Sequence, residues 1–250
     1  MSINNNFFQI FLSDCDLLPP PILLEMAEVI RNLFPAYEYH LFNRISLREF
    51  IADEFGGELL AAYDKLIPYA YKADLGRYCL AYKRGGWYAD MSLKLLSAVH
   101  LNETIDTVYF YDMGDGLPSP YRTAHDCMNA LFFAAAGNPI LAEAIEMILR
   151  NCREDYYGIS SLCPTGPVLF GKATAKYAPN EHHVFGHFMP LTPFHENKNR
   201  SFVAPNGSII ARHKSAWHSH RPSPGDLSVF GAQGTNNYFE LWQSRGIYAS

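Results

Sequence analysis

Residues 72–95, KADLGRYCLAYKRGGWYADMSLKL, change backbone state completely within one short stretch. Ala73, Leu75, Tyr78, Cys79, Leu80 and Tyr82 recur at helical spacing and predict an apolar face, with Asp74 and Arg77 one turn apart beside it. Gly85-Gly86 supplies the left-handed freedom that ends a helix. Trp87-Tyr88-Ala89 then reads as a short buried strand that stops at Asp90. A carboxylate at the C-terminal end of a strand in an open α/β sheet stands where such sheets take ligands. Each piece also has an ordinary reading: Asp74 and Arg77 as an ion pair on a helix surface, Asp90 as a turn residue.

The flanks predict a consistent frame. Residues 7–14, FFQIFLSD, read as a first buried strand, and Pro19-Pro20-Pro21 opens a helix to about residue 33 that Pro35 ends. Residues 37–43 read as a second strand; Ser46 and Glu49 form a capping box for a helix over 47–54; Gly56-Gly57 separates this from a helix to about residue 67. Strand, helix, strand and further helices leading to a strand-end aspartate is the order of a nucleotide-binding α/β sheet. Downstream, residues 93–99 read as a strand and bend, 107–111 (TVYFY) as a strand, and 112–125 as a Gly- and Pro-rich loop of the length that carries function. Residues 126–133 predict a strand, 139–151 a helix, and 237–245 a short packing helix. In Thr165-Gly166-Pro167 the threonine caps, the glycine turns and the proline opens a helix over 167–177.

Composition bounds the function. With 250 residues, 48% of them hydrophobic, the chain suffices for one large domain, a donor-side part at about 1–112 and a second part at about 113–250. A net charge of -5 argues against an electrostatic nucleic-acid binder. Cys15, Cys79, Cys127, Cys152 and Cys163 are odd in number and form no CxxC, which predicts reduced thiols in a cytoplasmic protein rather than a zinc knuckle or a disulfide framework. The apolar run at residues 7–12 is too short for a signal core and lacks a basic flank, and no run is long enough for a transmembrane segment. Seven of the ten histidines fall between residues 181 and 220, and His182-His183 has no partner spacing that marks zinc.

The central block resembles the sugar-binding, DXD-containing glycosyltransferases, a family that includes the yeast initiating α-1,6-mannosyltransferases and, more distantly, the glucosylating clostridial toxins. Its pattern is a helix carrying Asp-x-x-Arg-Tyr and a Gly-Gly-x-Tyr-x-Asp-x-Asp strand end. The matches here are Asp74, Arg77, Tyr78, Gly85, Gly86, Tyr88 and Asp90, with the helix-to-strand spacing intact. One position departs: the motif reads Asp90-Met91-Ser92, and serine is a neutral, weak ligand for a hard cation. The resemblance extends over roughly residues 9–218 and implies an α/β fold: a single GT-A-like, Rossmann-like nucleotide-sugar-binding domain with a mixed central sheet.

For function, the resemblance implies a retaining hexosyltransferase with a nucleotide-diphosphate sugar donor, UDP-linked by default and GDP-mannose next, carrying a hexose or N-acetylhexosamine. The acceptor is a glycan or lipid-linked molecule, as in surface polysaccharide synthesis, so peripheral membrane contact at the inner face stays open for a cytoplasmic enzyme. Asp74, Arg77 and Asp90 are the catalytic candidates. Phe11 is expected to stack on the base, while Tyr88 and Asn129 contact the donor. Ser215 and Trp217 belong to a loop closing over the diphosphate, where Trp217 excludes water. Residues 112–125 are expected to face the acceptor. For charge at the diphosphate two alternatives stand. Either Mn2+ or Mg2+ is held by Asp90 and Ser92 with help from His213 or His218, or Arg212 and Lys214 neutralise the diphosphate directly. Two rival classes are a non-catalytic nucleotide-sugar or glycan-binding module with a degenerate DXD, and a glycoside hydrolase pairing Asp90 with Asp112 or Asp126.

Overall fold

A computed structural model describes residues 5–14, 18–113, 126–191, 200–214 and 227–249. The strands are β1 (Asn6–Ile10), β2 (Glu38–Phe42), β3 (Gly86–Ala89), β4 (Lys94–Leu95), β5 (Thr107–Asp112), β6 (Cys127–Ala134), β7 (His183–Pro190), β8 (Arg200–Val203) and β9 (Ile209–Arg212). The helices are α1 (Pro21–Leu33), α2 (Arg44–Phe55), α3 (Gly57–Lys65), α4 (Tyr69–Arg84), α5 (Pro139–Arg153), α6 (Pro167–Thr174) and α7 (Tyr238–Gln243).

Among the described residues, nine strands form one sheet in the order β2-β1-β3-β6-β5-β7-β8-β9-β4. Three neighbouring pairs are parallel, β1 with β2, β1 with β3 and β5 with β7, and the others are antiparallel. The expected mixed α/β sheet is the one observed. Strands from the two halves of the chain interleave: β6 inserts between β3 and β5, and β4 crosses to the far edge to pair with β9.

The period-two alternation of β side chains divides the core into two layers. Phe8, Tyr88 and Phe132 face the layer shared with helices α2 to α6. Their neighbours Phe7, Trp87 and Phe133 face the other side, against Ile30 of α1 and Phe34 just after it. The aromatic content is thus spent on the sheet, and it holds β3, the strand that ends at Asp90, fixed from both faces.

The helix boundaries follow local chemistry. Gly85 ends α4 with φ 64°, and Gly86 at φ 131° brings its backbone so close to β1 that an added Cβ would lie 2.3 Å from the Asn6 carbonyl oxygen. Asn138 caps α5 by accepting from the Ile140 amide at 3.0 Å, with Pro139 in the first turn. Several expected details are corrected. The box at α2 is made by Asn43 and Ser46 rather than by Ser46 and Glu49, so the helix starts earlier, at Arg44. β1 ends at Ile10: the Phe11 amide still donates to the Phe42 carbonyl at 2.9 Å, and Leu12 and Ser13 lie beyond the strand. The strand expected over 93–99 is reduced to Lys94–Leu95. Among the described residues, no helix is long and apolar enough to cross a membrane.

Candidate functional site

A cleft of about 650 Å³ opens at the C-terminal ends of β1 and β3. Its floor is supplied by Asp74 and Arg77 from α4, Tyr88 and Asp90 from the end of β3, and Asn129 from β6. The i, i+3 spacing on α4 puts Asp74 and Arg77 on one face, and packing against the sheet buries that face instead of exposing it. The side chain of Arg77 is 5% exposed and that of Asp74 11%, so the surface ion pair is excluded.

Arg77 is held from every side. Its Nη2 lies 3.2 Å from Asp74 Oδ1 and its Nη1 lies 3.1 Å from Asp90 Oδ1. Nη1 also donates to the Asn129 carbonyl at 2.8 Å, and Nε donates to the Ala73 carbonyl at 3.2 Å. The guanidinium lies 4.5 Å from the centroid of the Tyr88 ring, whose hydroxyl donates to Asp90 Oδ1 at 2.8 Å. Burial opposes its charge, but Asp90, Tyr88 and Asp74 outweigh burial and keep the guanidinium firmly protonated. Burial pushes the Asp74 carboxyl above the usual carboxylate range, opposed by Arg77 and by two hydrogen bonds. Those bonds come from the Thr165 hydroxyl to Oδ2 at 2.7 Å and from the Asn129 amide to Oδ1 at 2.9 Å.

Thr165 is therefore not a helix cap. Its hydroxyl is committed to Asp74, the N-cap of α6 is Gly166 without a side-chain bond, and Tyr78 donates to the Thr165 carbonyl at 3.2 Å. Gly166 lies at the cleft wall, where an added Cβ would sit 3.6 Å from Asp74 Oδ2. Asn129, expected only as a donor contact, also locks the cluster by donating to the Tyr78 hydroxyl at 2.8 Å.

Phe11 lines the cleft but is 4% exposed, packed with Leu23, Met91, Phe230 and Ala232. Ser92 and His213 line the same cleft. Arg212 does not. It is exposed on β9, opposite Lys94, while Lys214 two residues on does reach the cleft wall. Ser215, Trp217 and His218 lie outside the described residues, as does most of the loop expected to face an acceptor. Arg200 of β8 and Tyr238 of α7 line the cleft and were not anticipated. No local signal marks Arg200, since its place depends on pairing between distant strands, whereas Thr165 stood in a motif already singled out.

The described donors do not fit a divalent cation. Asp90 and Asp112 both line the cleft, but among the described residues no three of His, Cys, Asp and Glu come together. Asp90 Oδ1 is already shared by Arg77 and Tyr88, and Ser92 brings a neutral hydroxyl. Hard cations need several anionic or carbonyl oxygens.

Comparison with known proteins agrees with this geometry. Residues 23–110 match the family described as glycosyltransferase sugar-binding region containing DXD motif. The chain is 30% identical over 138 residues to inositol phosphoceramide mannosyltransferase 3 of Schizosaccharomyces pombe, a match covering 55% of this chain and 36% of that one. The chain thus spans only about a third of that relative's length. Its fold is similar to that of the PaToxG glycosyltransferase, with a TM-score of 0.55 and 15% identity over 70% of this chain and 69% of the other. The family match contains Asp74, Arg77, Tyr88, Asp90 and Ser92 but not Phe11, Asn129, Ser215 or Trp217. Over residues 23–110 the chain is similar to the sugar-binding region of the DXD-motif glycosyltransferases, in a variant that reads Asp90-Met91-Ser92.

Proposed function

We propose that this chain is a retaining glycosyltransferase that moves a hexose or N-acetylhexosamine from a nucleotide-diphosphate sugar to a glycan or lipid-linked acceptor. One observation carries the reading: Asp74, Arg77 and Asp90 are joined by direct contacts at the strand-end cleft of a GT-A-like sheet. UDP is the first choice of base and GDP the second. The name of the fission-yeast relative adds weight to a mannosyl donor and a lipid-linked acceptor. A lipid-linked acceptor would bring a cytoplasmic enzyme into peripheral contact with the inner membrane face.

In this mechanism the bond between the sugar C1 and the diphosphate oxygen breaks, with its electron pair leaving on that oxygen. The acceptor oxygen bonds C1 on the same face, and its proton passes to the departing diphosphate oxygen. No protein nucleophile is required, so the chain contributes position and charge. Asp90, whose side chain is 34% exposed, accepts hydrogen bonds from donor hydroxyls. Asp74 and Arg77, nearly enclosed, fix the carboxylate of Asp90 and the cleft floor and present only their edges to the sugar. Phe11, Tyr88 and Asn129 border the donor, with Phe11 offering a ring edge to the base. For Ser215 and Trp217, outside the described residues, the support is the family resemblance alone, which implies a role in limiting hydrolysis.

The substitution at Ser92 gives the rival reading, a binding module without turnover, its one specific support. Release of nucleoside diphosphate from UDP-glucose, UDP-N-acetylglucosamine and GDP-mannose separates the two. Release from one donor, reduced about a hundredfold or more in Asp90→Asn, is the outcome expected of a transferase. Donor binding without release would leave the module. Cleavage of an aryl glycoside without nucleotide binding would overturn both in favour of a hydrolase.

A further inference from the structure

The acidic residue that the DXD pattern places at position 92 is missing, and two cations line the cleft that Ser92 lines. β4 and β9 run antiparallel with Lys94 opposite Arg212 and Leu95 opposite Ala211. The chain leaves β9 after Arg212, and Lys214 follows two residues on. Lys214, Ser92 and Asp90 all line the same cleft. The neighbouring strand delivers a second cation. β8 and β9 pair Ser201 with Arg212, and one step further the His213 amide donates to the Arg200 carbonyl at 3.0 Å. Arg200 lines the cleft as well. The buried ring of Phe188 orients both segments, with the Arg200 guanidinium 5.6 Å from its centroid and the His213 ring 5.5 Å away, edge-on.

Two cations on this wall are unfavourable for a third, metallic one and favourable for a polyanion. Asp90 points the same way, since its Oδ1 is already bound to Arg77 and Tyr88. We propose that Arg200 and Lys214 hold the donor's diphosphate in this chain, replacing the divalent metal that the family pattern implies. Arg200 supplies a planar fork suited to two phosphate oxygens, and Lys214 a point charge in the cleft that Ser92 also lines. The inference rests on the glycosyltransferase reading and corrects its metal-free alternative, in which Arg212 was the partner of Lys214.

Calorimetric titration with UDP and with GDP, each in EDTA and in manganese, tests it on the full chain. The expected result is one preferred nucleotide whose Kd agrees within about twofold in the two buffers. Lys214→Gln and Arg200→Gln each weaken that binding by about tenfold or more, and Lys214→Arg retains most of it. The matching nucleoside monophosphate loses less in both variants, which a general loss of structure would not produce. The double variant Ser92→Asp with Lys214→Gln gains manganese dependence. Binding that needs manganese in the wild type, or that ignores both Gln variants, overturns the proposal and leaves the donor site standing. Failure of both nucleotides to bind in either buffer removes the donor-site reading and this proposal together.

Discussion

Arg77 sits between two carboxylates, and its neighbours are chosen so that no charge there is left alone. Removing a partner from a buried pair costs more than the pair contributes, because the remaining charge stays desolvated. Asp74→Ala strips Arg77, Thr165 and Asn129 of a shared acceptor at once. It should destabilise the fold by about 3–5 kcal/mol, read as a fall in the denaturation midpoint. Asp90→Asn keeps the oxygen that Tyr88 and Arg77 approach, so it should leave the midpoint nearly unchanged while turnover collapses. A second buried group gives a pH test. Lys72 donates to the Tyr63 carbonyl at 2.6 Å, and burial lowers its pKa from 10.5 to about 8. A lysine whose folded value is depressed contributes stability above its unfolded pKa and loses it as pH falls through the folded value. The wild type should therefore gain stability relative to Lys72→Met as pH rises from 8 to 10.5. Melting curves of the two proteins at each end of that window check the sign; a difference independent of pH would refute it.

At the level of elements, the unit α4–Gly85-Gly86–β3 does the positioning. Gly86 carries φ 131° and approaches the Asn6 carbonyl so closely that no side chain fits. Gly86→Ala should cost at least about 2 kcal/mol and disturb the pairing of β1 with β3. Gly57 is the control, since an added Cβ there meets nothing within 4 Å and the residue opens α3. Gly57→Ala should be neutral or stabilise by about 0.4–1 kcal/mol. Equal losses at the two glycines, measured by urea denaturation, would show that the close approach to Asn6 is not what fixes β3. This unit was readable in sequence because its signals are local: helical spacing, paired glycines and an aromatic strand meeting one aspartate. The helix caps were less readable. Ser46 and Thr165 each carry a hydroxyl in a capping pattern, yet Ser46 serves Asn43, and Thr165 is drawn across 91 positions to Asp74. Propensity names the donor but not its partner when a buried carboxylate competes for it.

Across the whole molecule, the cleft draws its walls from residues distant in sequence: Phe11 after β1, Asp90 after β3, Arg200 in β8, Lys214 after β9 and Tyr238 in α7. Sequence patterns did not reveal the β7–β9 side, because which strands pair there is settled by sheet closure and not by local residues. The same remoteness makes the cleft a clamp on the fold, since a ligand bound there contacts both halves of the chain and would be lost on unfolding. Binding confined to the folded state adds RT ln(1 + [L]/Kd), about 2.7 kcal/mol at a hundred times Kd. For a chain of this length each kcal/mol moves the midpoint by roughly 2–4 °C, which predicts a rise of about 5–11 °C with a saturating preferred nucleoside diphosphate. The rise should be the same in EDTA and in manganese if Arg200 and Lys214 carry the diphosphate. It should shrink in Lys214→Gln, and it should be missing for the nucleoside alone. A rise produced by manganese without nucleotide would instead mean that a cation site exists in the folded chain.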